Sequence, residues 1–350
     1  MDFFKKIILV FFSTILTIVI LEFSLRLFKI NLPTDSDLYL NYSNEELDRK
    51  KPFRHANNGG NCVKERFIRK MQWNPRFGWN DKDVNIDCIN TLFSEGKKNI
   101  VFMGGSGMAN YESPNYLTSI ENYIFLNDDR FRSINLAESG ARLSNELSIF
   151  VENIPKLKKK PDLIIFFDGY NEFNSIRYGG NPIDDFYWSA GVKKRIHKPL
   201  QYYFDVFAER FLTFGLIYNQ ILGLSSSRTR PTEIENKTII EAANDYSYRK
   251  KILKKLCEVY GIDCIFVLQP VFVLSKNLNS KTDIIIKKWH DKYFKNDKKI
   301  YQIGYNEIIK SNNDVINLTN IFDDQSGIYF DYVHSNKVAS KIIGESLRKV

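Results

Sequence analysis

The stretch "NIVFMGGSGMAN", Asn99–Asn110, decides how the chain folds. Ile100 to Met103 form an apolar run without polar alternation, and it ends at Gly104-Gly105. A strand that is apolar throughout must be covered on both faces, as in the middle of a parallel sheet. The glycines mark a tight turn at its end. Ser106 follows at once, either as an incidental turn residue or as a nucleophile displayed at the carboxyl end of the strand.

Four further segments outward from this run read as strands: "RSINLA" (132–137), "PDLIIFFDG" (161–169), "IDCIFVLQP" (262–270) and "DVINLTN" (314–320). Helices are expected at 113–126, opened by Ser113-Pro114, and at 144–157, with Ser144 as N-cap. Three more are expected at 246–261, ending on a glycine, at 281–295 and at 336–349. This alternation predicts an α/β fold with a parallel five-stranded sheet covered on both faces. Such sheets place their site at the carboxyl ends of the strands. Ser106, Gly140 and Asn171 follow the first three strands there.

The chain has 350 residues, of which 43% are hydrophobic, a share that suits a globular core. Its net charge is +9; residues 1–30 contribute +2, and the other +7 is scattered along the chain. That pattern describes a lysine-rich solvated surface, helped by an anionic membrane nearby. Neither zinc-finger spacing nor a basic helix with heptads is present, so nucleic acid is not expected as a partner.

Fifteen uncharged residues, Ile7–Leu21, follow "MDFFKK", and apolar spacing continues past Glu22 to Ile30. Residues 1–30 read as a cytoplasmic start and one N-terminal transmembrane helix. A cleaved signal peptide is the competing reading, but no small-x-small site follows the run. Lys5 and Lys6 keep the N-terminus in the cytoplasm and place the rest of the chain outside it, on the periplasmic or extracellular face.

Residues 31–95 read as a polar connector and 96–350 as the main domain, with an insertion at about 174–245. The aromatic segment 196–224 in that insertion reads as a helix packed on the core; the alternative is a cap lining an acyl or glycan groove or resting on the membrane. Four cysteines allow three pairings, and proximity makes Cys62–Cys88 with Cys257–Cys264 the economical one. No CxxC or neighbouring histidine accompanies them, so neither metal nor cofactor is expected.

A serine nucleophile needs a base, and the chain has four histidines. His55 lies in the connector and His197 in the insertion, while His290 sits within a helix as a surface or packing residue. His334 differs, because Asp331 stands three residues before it on a loop, close enough to fix the ring tautomer. Asn171 in "DGYNEF" follows a strand next to the first, where its amide N–H can serve an oxyanion. Gly140 in "NLAESG" allows a backbone N–H to approach the same place. Each of these residues alone is also an ordinary turn residue.

In order, "GGSGMAN", "NLAESG", "GYNE" and "DYVH" resemble the four blocks of the SGNH (GDSL-type) hydrolase superfamily, over residues 97–349. The resemblance implies a three-layer α/β/α, flavodoxin-like fold. It implies Ser106 as nucleophile, His334 as base and Asp331 as its orienter. The oxyanion hole would come from the Ser106 and Gly140 backbone N–H groups and the Asn171 side chain. Three positions depart from the pattern: Gly105 replaces the usual aspartate, Asn110 a later glycine, and Glu172 an aspartate.

The expected function is a membrane-anchored extracytoplasmic serine esterase. Its substrate would be an ester, such as an O-acetyl group, on a cell-envelope glycan or lipid. Two alternatives stay open: an O-acyltransferase using the same triad on an envelope polysaccharide, and a non-catalytic glycan-binding or assembly factor with a degenerate first block.

Overall fold

The structure is a computed structural model. It describes residues 62–65, 72–74, 78–80, 82–93, 97–108, 130–138, 140–177, 233–329 and 331–349, with single positions 13, 16, 17, 20, 23, 24, 120, 124 and 128. The chain divides into two compact units, Met1–Asn41 with Ser189–Arg230 and Tyr42–Trp188 with Pro231–Val350.

The six described positions of the first unit are all helical. Thr17 and Ser24 donate their hydroxyls to the carbonyls of Ser13 and Ile20, each at 2.8 Å. Leu16, Ile20 and Phe23 are exposed. Among the described residues no helix is long and apolar enough to cross a membrane. Most of the expected anchor and all of the aromatic segment 196–224 lie outside the described residues.

In the second unit, five parallel strands form one sheet: β1 (Lys98–Gly104), β2 (Phe131–Asn135), β3 (Leu163–Asp168), β4 (Asp263–Leu268) and β5 (Val315–Asn317). Their order is β2-β1-β3-β4-β5, and every pairing is parallel. The expected parallel five-stranded α/β sheet is therefore present. The strand order reverses between β1 and β3, and a crevice opens at the carboxyl ends of two strands where the order switches.

Side chains alternate between two cores. Val101, Met103, Ile164 and Phe166 face one, while Ile100, Phe102, Ile165 and Phe167 face the other. Among the described residues the helices of seven residues or more are, in chain order, α1 (Ile86–Leu92), α2 (Leu143–Asn153), α3 (Asn236–Tyr260), α4 (Lys281–Tyr293), α5 (Asp297–Ser311) and α6 (Lys337–Leu347). Residues of α1, α2, α3 and α5 join the first core; Ile286 of α4 and Ala339 and Ile343 of α6 join the second. The central strands are buried on both sides because helices cover both sides.

Several local expectations need correction. Ser144 does not cap α2: the cap is Arg142, whose N–H donates to Asn145 Oδ1 at 3.0 Å, and Ser144 lies buried inside the helix. Helix α3 begins ten residues before the expected start, at Asn236. Of the expected helix 113–126, positions 120 and 124 are described, both helical. Helix α5 was not anticipated. Within the stretch read as a connector, Val63–Glu65 pairs antiparallel with Lys82–Val84, and Gln72–Asn74 with Gly78–Asn80. Three-residue strands are too short to register a period in sequence.

Both economical cysteine pairs are formed. Cys62–Cys88, at a Cα separation of 5.2 Å, fastens α1 to the first antiparallel pair. Cys257–Cys264, at 6.3 Å, joins the end of α3 to β4.

Candidate active site

The turn after β1 presents Ser106 on a chain that folds back at once, with the Met108 N–H donating to the Gly105 carbonyl at 3.0 Å. Gly104 is required there, because a β-carbon would stand 2.6 Å from the Phe167 carbonyl oxygen of β3. Far along the chain, residues 327–329 and 331–336 belong to the loop before α6. Asn336 pins that loop by capping the N–H groups of Val338 and Ala339 and by donating to the Gly327 carbonyl at 2.7 Å. An isolated bridge between Tyr329 and Ser335 closes it further.

This loop brings Asp331 and His334 to Ser106. His334 Nε2 lies 2.8 Å from Ser106 Oγ, and Nδ1 lies 2.6 Å from Asp331 Oδ2. The other carboxylate oxygen of Asp331 accepts the backbone N–H groups of Val333, at 2.6 Å, and His334, at 2.5 Å. Asp331 is buried; burial alone would raise its pKa, but the adjoining imidazole and these donors prevail and hold it below the usual carboxylate range. An ionised Asp331 takes the Nδ1 proton as its hydrogen-bond partner. That leaves Nε2 unprotonated, facing the serine hydroxyl as an acceptor.

Asn171 and Ala141, the residue after Gly140, stand against Gly105, the neighbour of Ser106. Gly140 adopts φ 72°, a left-handed conformation that glycine reaches without steric cost. Among the described residues, the backbone N–H groups of Ser106 and Gly140 have no hydrogen-bond acceptor. Asn171 opens a turn of 3-10 helix after β3, and its Nδ2 donates one hydrogen to the Ala141 carbonyl at 2.8 Å. A primary amide nitrogen carries two hydrogens, so one remains for a ligand. All five expected site residues thus lie at one end of the β1–β3 pair.

Two of the three departures from the family pattern have local reasons, and the third, Asn110, lies outside the described residues. A β-carbon at Gly105 would stand 2.2 Å from Asn171 Nδ2, so the missing side chain is the space the asparagine occupies. Glu172 Oε1 accepts the Leu143 N–H at the start of α2 at 2.7 Å, and Oε2 lies 3.5 Å from Arg142 Nε. This ties the turn after β3 to the turn carrying Gly140. Gln269, after β4, is buried against Gly107, where a β-carbon would stand 3.3 Å from its Oε1.

Sequence reasoning missed two groups. Glu146 of α2 and Asp168 at the end of β3 are both buried, and none of their oxygens receives a donor. Burial and each other's charge push Glu146 well above the usual range. Burial, with the Glu172 charge behind it, raises Asp168 to about 7. Burial and neighbouring negative charge therefore favour the protonated form of both carboxyls. The second group contains His290, which is buried rather than on the surface; its Nε2 lies 2.9 Å from Asp297 Oδ2. His55 and His197 lie outside the described residues, and among those residues no cluster of His, Cys, Asp and Glu could hold a metal ion.

No family model matches the chain, and no curated protein matches it. Solved structures do. The chain is similar to a GDSL-like lipase from Bacteroides thetaiotaomicron at 12% identity, covering 75% of this chain and 93% of that one, with a TM-score of 0.38. It is similar to a variant of an acetyl xylan esterase from Geobacillus stearothermophilus at 10% identity, with 73% and 94% covered and a TM-score of 0.38. A lipase/acylhydrolase from Enterococcus faecalis matches at 13% identity, with 72% and 94% covered and a TM-score of 0.35.

Proposed function

We propose that the chain is a serine ester hydrolase in which Ser106 is the nucleophile, His334 the general base and Asp331 its orienter. One observation carries this reading: the His334 ring bridges Ser106 Oγ and the buried Asp331 carboxylate through its two nitrogens. In the reaction the Ser106 oxygen bonds to the ester carbonyl carbon while its proton passes to His334 Nε2. The negative charge on the former carbonyl oxygen faces the Ser106 and Gly140 N–H groups and the free Asn171 hydrogen. His334 then protonates the departing alcohol, the carbon–oxygen bond to it breaks, and an acyl-serine remains. Water, deprotonated by the same histidine, cleaves the acyl-serine and releases the acid.

The reading extends to a membrane-anchored enzyme working outside the cytoplasm on esters of an envelope glycan, O-acetyl groups first among them. Leu16, Ile20 and Phe23, exposed at helical spacing in the N-terminal segment, support the anchor. Two disulfides support an oxidising compartment.

The test is hydrolysis of a short-chain aryl ester by the full-length chain, beside Ser106→Ala and His334→Ala. Both variants should fall to the background rate, and a serine-directed phosphonate should label wild type but not Ser106→Ala. Equal rates in all three would reject the nucleophile and the base.

A further inference from the structure

Behind Asn171 runs a line of buried polar side chains that the reaction above does not use. Asn171 Oδ1 accepts a hydrogen from Asn174 Nδ2 at 2.9 Å, and Asn174 Oδ1 accepts one from Arg177 Nη1, also at 2.9 Å. Arg177 in turn is clamped by Asp297, with Nε at 2.9 Å from Oδ1 and Nη2 at 2.5 Å from Oδ2, and it also donates to the Tyr170 hydroxyl. Its guanidinium carbon lies 4.3 Å from the Phe294 ring centroid, 5.0 Å from that of Tyr170 and 5.5 Å from that of Tyr332. Asn171, Asn174, Arg177, Asp297 and His290 are all buried.

We propose that Arg177, acting through Asn174, sets which end of the Asn171 amide faces the oxyanion, so that Asn174 and Arg177 are positioning residues of the reaction. The inference rests on the reading of Ser106 as nucleophile and Asn171 as oxyanion donor.

An amide side chain presents a donor at one end and an acceptor at the other, and a half-turn exchanges them. A wrongly turned Asn171 would aim a carbonyl oxygen at the developing oxyanion and at the Ala141 carbonyl. Arginine can only donate, so Arg177 forces Asn174 to present its oxygen. Asn174 must then present its nitrogen to Asn171, and Asn171 its nitrogen to Ala141 and to the oxyanion. The direction of every bond is fixed from both ends, since Arg177 can only donate and the Ala141 carbonyl can only accept. A full positive charge at the head of this line also polarises both amides and strengthens the terminal N–H as a donor. Asp297, braced by His290, keeps the cation in place. Tyr332 stacks on the same cation next to Asp331, so one side chain braces the oxyanion asparagine and the loop of the base.

The experiment is a double-mutant cycle on the full-length chain in detergent, measuring kcat and KM for p-nitrophenyl acetate. The set is wild type, Asn171→Ala, Asn174→Asp and the double variant, with Asn174→Ala as a second version in case the added carboxylate unfolds the protein. Asp at 174 still accepts from Arg177 but has no hydrogen for Asn171. The single changes at 174 should lower kcat about 10-fold or more while KM stays within about twofold, against the roughly 10²–10³-fold typical for losing an oxyanion donor outright. In the double variant the change at 174 should cost nothing beyond Asn171→Ala, because its effect passes through Asn171. Wild-type kcat in both position-174 variants, or losses that multiply in the double, would overturn the relay. Equal rates for wild type and Ser106→Ala would instead remove the nucleophile reading on which it stands.

Discussion

Gly105 faces Asn171 so closely that a β-carbon at position 105 would stand 2.2 Å from Asn171 Nδ2. The asparagine cannot simply swing away, because Ala141 and Asn174 hold both ends of its amide. Gly105→Asp, the residue commoner in the resembling family, should therefore displace the donor. A kcat loss of about 10-fold to 10²-fold, below that of removing an oxyanion donor completely, is expected in ester hydrolysis. Unchanged kcat would show that the turn absorbs the side chain.

Asp331→Asn should leave the loop folded but reverse the tautomer of His334. An asparagine nitrogen opposite Nδ1 asks that atom to accept, which moves the ring proton to Nε2, where it blocks proton transfer from Ser106. A kcat loss of about 10³–10⁴-fold is expected, with substrate binding retained. Pre-steady-state acylation kinetics would check it, since the loss should fall on acylation rather than on KM.

The raised Asp168 carboxyl makes stability depend on pH. In the folded state Asp168 holds its proton up to about pH 7, whereas in the unfolded chain it releases it near the ordinary carboxylate value of about 4. The stabilisation is therefore complete below about pH 4 and lost as pH rises to about 7. Asp331 and Asp297 act in the opposite sense, because their lowered values give stability that acid removes. Melting temperature should be higher near pH 5.5 than near pH 8. Glu146→Gln supplies an N–H to Asp168 and should flatten that decline; a decline of unchanged size would assign it to other groups.

Glu172→Asp moves the chain toward the family pattern and should nonetheless destabilise it. Shortening by one methylene pulls the carboxylate away from the Leu143 N–H and widens its 3.5 Å approach to Arg142. A buried donor left unpaired costs about 1–3 kcal/mol, and at about 2–4 °C per kcal/mol for a domain of this size a fall of several degrees is expected in a thermal melt.

The strands were legible because β1 and β3 carry apolar side chains on both faces, a pattern that surface elements do not produce. Residues that act at a strand's carboxyl end could be found by the same means, since each follows its strand within a few positions. Helix α5 was hidden by Gly304, which weakens any local helical signal. That glycine is there because the Phe173 ring fills its place, with Cζ 2.2 Å from where a β-carbon would be. Arg177 and Asp297 were invisible for a different reason: 120 residues separate them, and neither belongs to a motif. Glu146 looked like any helical glutamate, because its environment is made by the tertiary packing of Asp168 and Glu172 around it.

The bond between His334 and Ser106 spans 228 residues, and this sets a schedule for the newborn chain. On the proposed assignment, a ribosome that has reached Asn171, just past the end of β3, has made the nucleophile and the oxyanion donors, but the base is still to come. Until the loop before α6 emerges and docks, the serine is an ordinary hydroxyl with nothing to take its proton. Reactivity of the proposed kind would then arrive late in synthesis, with the docking of that loop.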